Sequence, residues 1–171
     1  MSPAAPPDAD ATPALVDDPR LTAVGLLFEA ATGLGDLLAG QIGEHGLAPS
    51  EFEALLRLVR SPGGQLRMSD LATQANLSSS GLTRLVDRLQ ARGLVERRAC
   101  PTDGRGAFAV ATPAGTDLLL GVLPGHVAVI EAWYTSRLAP PDLATLSGAL
   151  RTIRDAVRPG AEAGAHAPPA G

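Results

Sequence analysis

Apolar residues recur every three or four positions along most of the chain, broken by residues that start or stop helices. The first such run spans Leu21 to about His45 and places Leu26, Leu27, Ala30, Ala31, Leu34, Leu37, Leu38 and Ile42 on one side. Gly25, Gly33, Gly35, Gly40 and Gly43 weaken it, each costing ~1 kcal/mol against alanine, so this helix needs a partner surface. A second helix over about 49–61 begins at Pro49, presents Phe52, Leu55, Leu56 and Val59, and stops at Ser61-Pro62-Gly63-Gly64.

Ser69 reads as the N-cap of a short helix carrying Leu71 and Ala72, Asn76 marks a turn, and Ser78 caps a longer helix. The inward side of that helix is Leu82, Leu85, Val86 and Leu89, and Gly93 closes it as a left-handed residue. Two helices joined by a tight turn form a helix-turn-helix candidate. Residues 94–98 and 107–111 then read as two strands around a turn-rich tip, Pro101 to Gly106. Thr112-Pro113 opens a helix through Leu118, Leu119, Val122 and Leu123, and Pro124-Gly125 predicts a kink or break in it. The run resumes at Val127, Ile130, Trp133 and Leu138, and a last helix over about 140–157 carries Leu143, Leu146, Leu150 and Ile153.

Residues 1–18 and 159–171 lack this periodicity and read as disordered tails around one domain, 19–158. Within it, 47–112 form the helix-turn-helix and hairpin lobe. Aromatics are only 3% of the residues, which suits helix packing on Leu, Val and Ala. The formal charge of −4 hides a local reversal: residues 65–106 hold seven arginines against four acids, and the rest of the chain seven against 14. A basic lobe on an acidic body fits a polyanionic partner, double-stranded DNA.

One cysteine, Cys100, and three scattered histidines predict no disulfide, no metal site and no cofactor. No nucleophile with a base, no paired carboxylates and no phosphate loop indicate an enzyme, so no catalytic residues are assigned. The start has neither a basic region nor an apolar one, and no stretch offers about 18 uninterrupted apolar residues. The expectation is a cytoplasmic protein with no membrane partner.

The stretch MSDLATQANLSSSGLTRLVDRLQARGLVERRACPTDGRGAFAVATPAG resembles the MarR family of regulators. Its helix-turn-helix ends in R-G-L-V and is followed by an R-R doublet, a D-x-R wing and a T-x-x-G helix start, in the family's order. The resemblance implies a mainly α fold, a winged helix-turn-helix lobe with a small β-hairpin wing on a helical dimerisation body made of 19–46 and 113–158. It also implies a homodimer on a pseudopalindromic operator, released by a small aromatic or anionic effector. Three departures stand out: Pro124-Gly125 inside a usually unbroken helix, Gly81 in place of a hydroxyl residue or alanine, and Cys100 away from the peroxide-sensing position.

With the leucines of the recognition helix inward, its polar side presents Ser79, Ser80, Thr83, Arg84 and Arg88 for DNA, with Ser78 at the cap. Arg105, flanked by Gly104 and Gly106, suits a narrow minor groove, with Asp103 orienting it. Arg97 and Arg98 alternate on a strand, so one of them faces phosphate. Arg92 serves either DNA or the helix dipole. His45, Phe52 and Arg57 are the effector-pocket candidates implied by the resemblance. Leu119, Leu123, Trp133, Leu143, Leu146, Leu150 and Ile153 offer more apolar surface than a thin monomer buries and are assigned to the dimer interface. A ligand-independent DNA-binding regulator and a winged-helix protein-interaction module are the alternative readings.

Overall fold

The computed structural model describes residues 15–99 and 106–159. Cys100, Asp103 and Arg105 lie outside the described residues, as do most of the two expected tails. Among the described residues six α-helices of more than one turn and three strands run in the order α1 Pro19–Gly43, α2 Pro49–Arg60, β1 Gln65–Arg67, α3 Met68–Gln74, α4 Ser79–Ala91, β2 Val95–Ala99, β3 Ala107–Ala111, α5 Pro113–Trp133 and α6 Pro140–Val157. The chain divides into two units, residues 1–37 and 38–171. The first holds most of α1, capped by Asp18, whose carboxylate accepts the Arg20 backbone N–H at 2.8 Å.

In the second unit the core is leucine on leucine. Phe52, Leu55 and Leu58 of α2 meet Leu71 of α3 and the Leu82, Leu85, Val86 and Leu89 stripe of α4, closed over by Val95, Ala109, Leu119 and Val122. Burying each such side chain contributes about 1.5–3 kcal/mol, and the i, i+3, i+4, i+7 spacing on α4 aligns four on one face. The sheet is antiparallel with order β1-β3-β2. It therefore has three strands, where the sequence predicts a two-stranded hairpin. Gln65–Arg67 is recruited by pairing with β3, Gln65 opposite Val110 and Arg67 opposite Phe108.

Two further expectations are corrected. The short helix starts at Met68 with Arg67 in the cap position, so Ser69 lies inside its first turn. Of the kink or break predicted at Pro124-Gly125, the break does not occur, because α5 runs as one helix from Pro113 to Trp133 with Pro124 inside. Proline removes one backbone hydrogen bond, at a cost of about 3 kcal/mol, while the burial of Leu119 and Val122 holds the N-terminal half of α5 against α2.

The start of α5 is a built joint. Thr112 Oγ1 accepts the Gly115 N–H at 3.0 Å and donates to the Gly93 carbonyl at 2.7 Å, while the Thr112 N–H reaches the Leu94 carbonyl at 3.1 Å. One side chain thus caps α5 and ties it to the end of α4. The helix passes so close to the strand entry that a Cβ on Gly115 would sit 2.1 Å from the Leu94 carbonyl oxygen.

The middle of α5 packs on α2 through an aromatic pair. Phe52 and His126 have ring centroids 4.4 Å apart, and burial pulls the His126 pKa below 6.5, with Glu53 partly opposing. Because the folded pKa lies below the unfolded one, the unfolded chain takes the proton first as pH falls. His126 therefore leaves stability intact above about pH 6.5 and erodes it below. The urea midpoint is expected to drop between pH 7.5 and 5.5 by more in the native protein than in His126→Gln. Equal drops in the two would remove this histidine from the account.

Candidate nucleic-acid interface

Two local motifs set the angle between α3 and α4. After α3 the Leu77 N–H reaches the Ala72 carbonyl and the Asn76 N–H the Thr73 carbonyl, with Asn76 in the left-handed region at φ 56°. Two residues on, Ser78 Oγ accepts the Gly81 N–H at 3.1 Å and starts α4. Gly81 is thus the donor to the cap. At the far end, Leu94 N–H to Leu89 and Gly93 N–H to Gln90, with Gly93 at φ 70°, turn the chain sharply into β2. The same αL stop thus ends each of the two helices of the helix-turn-helix.

Leu82, Leu85, Val86 and Leu89 are buried, which leaves Ser79, Ser80, Thr83, Arg84, Asp87 and Arg88 exposed on the other side. These exposed residues fall into two groups. Among the described residues nothing holds Arg84 in a hydrogen bond or ion pair, and it stands one turn from the N-terminus beside Ser80 and Thr83. Arg88, by contrast, lies 3.6 Å from the Glu51 carboxylate, and Arg92 donates to the same group at 3.0 Å.

Glu51 is the residue that the sequence reading missed. It is 6% exposed at the third position of α2, where its Oε2 also accepts the Ala48 N–H at 3.1 Å. A glutamate three residues after a helix start is a visible capping signal, but its grip on residues 37 and 41 positions away is not. It ties the C-terminal end of α4 to the start of α2 through Arg92, with the more exposed Arg88 at ion-pair distance. Glu51→Ala removes the partner of the Ala48 N–H and a half-exposed ion pair with Arg92, and is expected to cost about 1 kcal/mol. A urea transition at the native midpoint would show that Glu51 holds nothing.

Strand register separates the two neighbouring arginines of β2. Arg97 pairs with Ala109, which is fully buried, so both side chains point toward α4. There Arg97 Nη2 donates to the Thr83 carbonyl at 3.1 Å and meets Asp87 Oδ1 at 2.8 Å. Arg98 pairs with Phe108 on the outer side and bonds to Glu96. Across the sheet, Arg67 stands over the same Phe108 ring at 5.5 Å, so the outer surface carries a row of Arg67, Phe108 and Arg98. Of the doublet, Arg98 is the one left facing outward.

The three effector-pocket candidates sit in different environments. His45 is exposed after α1, Phe52 is 4% exposed in the core against His126, and Arg57 is bound to Glu53 one turn away at 2.5 Å. Among the described residues Gln41 Oε1 and His126 Nδ1 are buried and lack a hydrogen-bond partner; the His126 ring lies against Phe52, and Gln41 Nε2 donates to the Val122 carbonyl at 3.2 Å.

Burial also sorts the residues assigned to the dimer interface. Leu119 is wholly buried within the chain and Leu123 packs against the same core, so Leu119 is a core residue. Trp133 is 55% and Ile153 50% exposed, with Leu143, Leu146 and Leu150 half-buried. No residue of α6 is buried.

Residues 45–106, from the turn before α2 to the start of β3, match the model of the MarR family. The chain is similar to the HTH-type transcriptional regulator MhqR of Bacillus subtilis, 36% identical over 106 residues that cover 62% of this chain and 72% of that protein. It is similar in structure to AbsC, a MarR family transcriptional regulator from Streptomyces coelicolor, with a TM-score of 0.79 and 35% identity over 83% of this chain and 96% of the other. Sco3205, another MarR family regulator of that organism solved in complex with DNA, superposes with a TM-score of 0.77 at 34% identity, covering 81% and 88% of the two chains. The likeness to AbsC takes in nearly all of that chain as well as the lobe that the family model matches, and the order of capped turn, helix and wing sheet is the one the sequence motifs predict. The chain belongs to the MarR family of transcriptional regulators.

Proposed function

We propose that this regulator is a homodimeric repressor that binds a pseudopalindromic operator, with α4 in the major groove of each half-site and the wing alongside. The observation that carries this reading is the polar face of α4: serines and a threonine at the N-terminal end, one uncommitted guanidinium at Arg84, and a cap at Ser78 that fixes the helix start. Arg98 and Arg105 supply contacts from the wing, the latter assigned from sequence. Repression follows from occupancy, since a dimer spanning promoter DNA excludes polymerase from it.

Dimerisation rests on apolar surface that one chain leaves in water. Leu21, Val24, Leu26 and Phe28 of α1 are exposed, and so are Trp133, Ile153 and Val157 of the C-terminal helices. Both α1 and residues 113–137 are long and apolar enough to cross a membrane by length and composition. Glu29 and Asp36 within α1 are costly in lipid, however, and suit a helix whose remaining face packs on protein. A second copy of the chain covers these surfaces.

Release by a small aromatic or anionic effector belongs to the same reading; the buried, unpartnered Gln41 Oε1, which can accept from a phenol hydroxyl, and His126 Nδ1, on the ring beside Phe52, support its aromatic form. A phenolic ligand at 100 times its Kd adds ~2.7 kcal/mol to stability, readable as a thermal shift. A flat response across phenols and benzoates would favour a regulator without ligand. The reading as a whole is tested by selecting bound duplex from a random pool. Two inverted half-sites about one helical turn apart are expected, and binding indifferent to sequence would replace it with a protein-interaction module.

A further inference from the structure

We infer that Arg97 is a positioning residue for DNA recognition, setting the wing against the recognition helix, and that it makes no contact with phosphate. The inference rests on the DNA-binding reading above and assigns a role within it. Its basis is one guanidinium nitrogen placed between two acceptors on α4, the Thr83 carbonyl at 3.1 Å and Asp87 Oδ1 at 2.8 Å.

Those acceptors lie four residues apart on the side of α4 that carries Thr83 and Arg84, so the arginine ties the wing to the part of the helix that reads bases. Strand pairing fixes which side Arg97 occupies: opposite buried Ala109, facing the helix, whereas Arg98 opposite Phe108 faces away. The Arg97 side chain is 33% exposed against 61% for Arg98, and its Nη2 is committed to two acceptors of the helix, so it offers little to a polyanion. Glu51 holds the other end of α4 through Arg88 and Arg92. The helix is therefore fastened to α2 near its C-terminus and to the wing near its middle, and only the second tie acts on the spacing between two DNA-contacting elements. Nη2 lies one bond further from the backbone than a lysine Nζ, and the rigid guanidinium plane fixes the directions of its two N–H bonds toward the two acceptors, which a shorter, flexible lysine stem does poorly.

The test measures affinity of the full-length protein for its selected operator and for unrelated duplex, across a salt series, in Arg97→Ala, Arg97→Lys, Asp87→Ala and the Arg97/Asp87 double alanine variant. The ratio of operator to unrelated binding is expected to fall about tenfold in Arg97→Ala, the scale of a single coupled ion pair. Asp87→Ala is expected to reproduce that loss, the double variant to add little, Arg97→Lys not to restore it, and the salt slope to stay at the native value. A phosphate-binding arginine gives the opposite pattern. Lysine then rescues, Asp87→Ala leaves affinity equal or higher, and the salt slope shrinks by about 0.9 for each phosphate no longer neutralised. That pattern, or unchanged discrimination in both single variants, overturns the inference. Failure of the native protein to prefer any duplex would instead overturn the DNA-binding reading, before any variant is compared.

Discussion

Gly115→Ala is expected to lower the melting temperature by about 6–12 °C or more, while Gly121→Ala in the same helix raises it slightly. The first substitution puts a methyl group 2.1 Å from the Leu94 carbonyl oxygen and 3.0 Å from its carbon. These are backbone atoms, so no rotamer change relieves the clash. The carbonyl must retreat, and with it the bond it accepts from the Thr112 N–H at 3.1 Å. Thr112 in turn holds Gly93 and the Gly115 amide, so one displaced oxygen loosens the joint between α4, β2 and α5. Overpacking and the broken hydrogen bonds together set a cost of at least ~3 kcal/mol. Gly121 has no atom within 4 Å of where its Cβ would stand, so alanine there only gains helix propensity, about 1 kcal/mol. The same chemical change in one helix thus carries opposite signs, and two parallel melting shifts would show that α5 does not approach the strand as described.

Half of this joint is legible in the amino-acid sequence. Thr112-Pro113 announces a helix start, as Pro49 and Ser78 do, because caps are local chemistry between residues two or three apart. The four apolar positions of α4 announce its buried side for the same reason, since a helical period is a property of a short window. What the sequence hides is made by residues distant along the chain. Gln65–Arg67 has no strand pattern of its own and becomes a strand because β3, more than forty residues later, lies beside it. Glu51 looks like an N-terminal acid of α2, and its hold on Arg92 across 41 positions appears only when α2 and α4 are packed. Leu119 and Trp133 share one apolar run, and periodicity cannot say that the first meets the chain's own core while the second stays half in water. Pro124 reads as a break because local cost is visible and the packing of Leu119 and Val122 that offsets it is not. The doublet Arg97-Arg98 is a milder case: alternation says that the two differ, and register with β3 says how.

Arg84→Ala is expected to abolish operator recognition while leaving the fold untouched. Arg84 is exposed, and among the described residues nothing binds it, so its removal withdraws no internal contact and the melting temperature should hold. On DNA the position is different. A guanidinium reaching a base edge discriminates by ~1–3 kcal/mol, and the proposed dimer would lose it in both half-sites, which lowers operator affinity by roughly 30-fold to more than 10,000-fold. Preference at the contacted base pair should relax together with affinity, while binding to unrelated duplex falls far less. Arg88→Ala provides the contrast, since Arg88 stands by Glu51 and its loss is felt in stability rather than in base preference. Gel shifts at fixed salt, paired with urea melts of the two variants, separate these effects. An Arg84 variant that keeps operator affinity would mean that the exposed side of α4 is not the side that meets DNA.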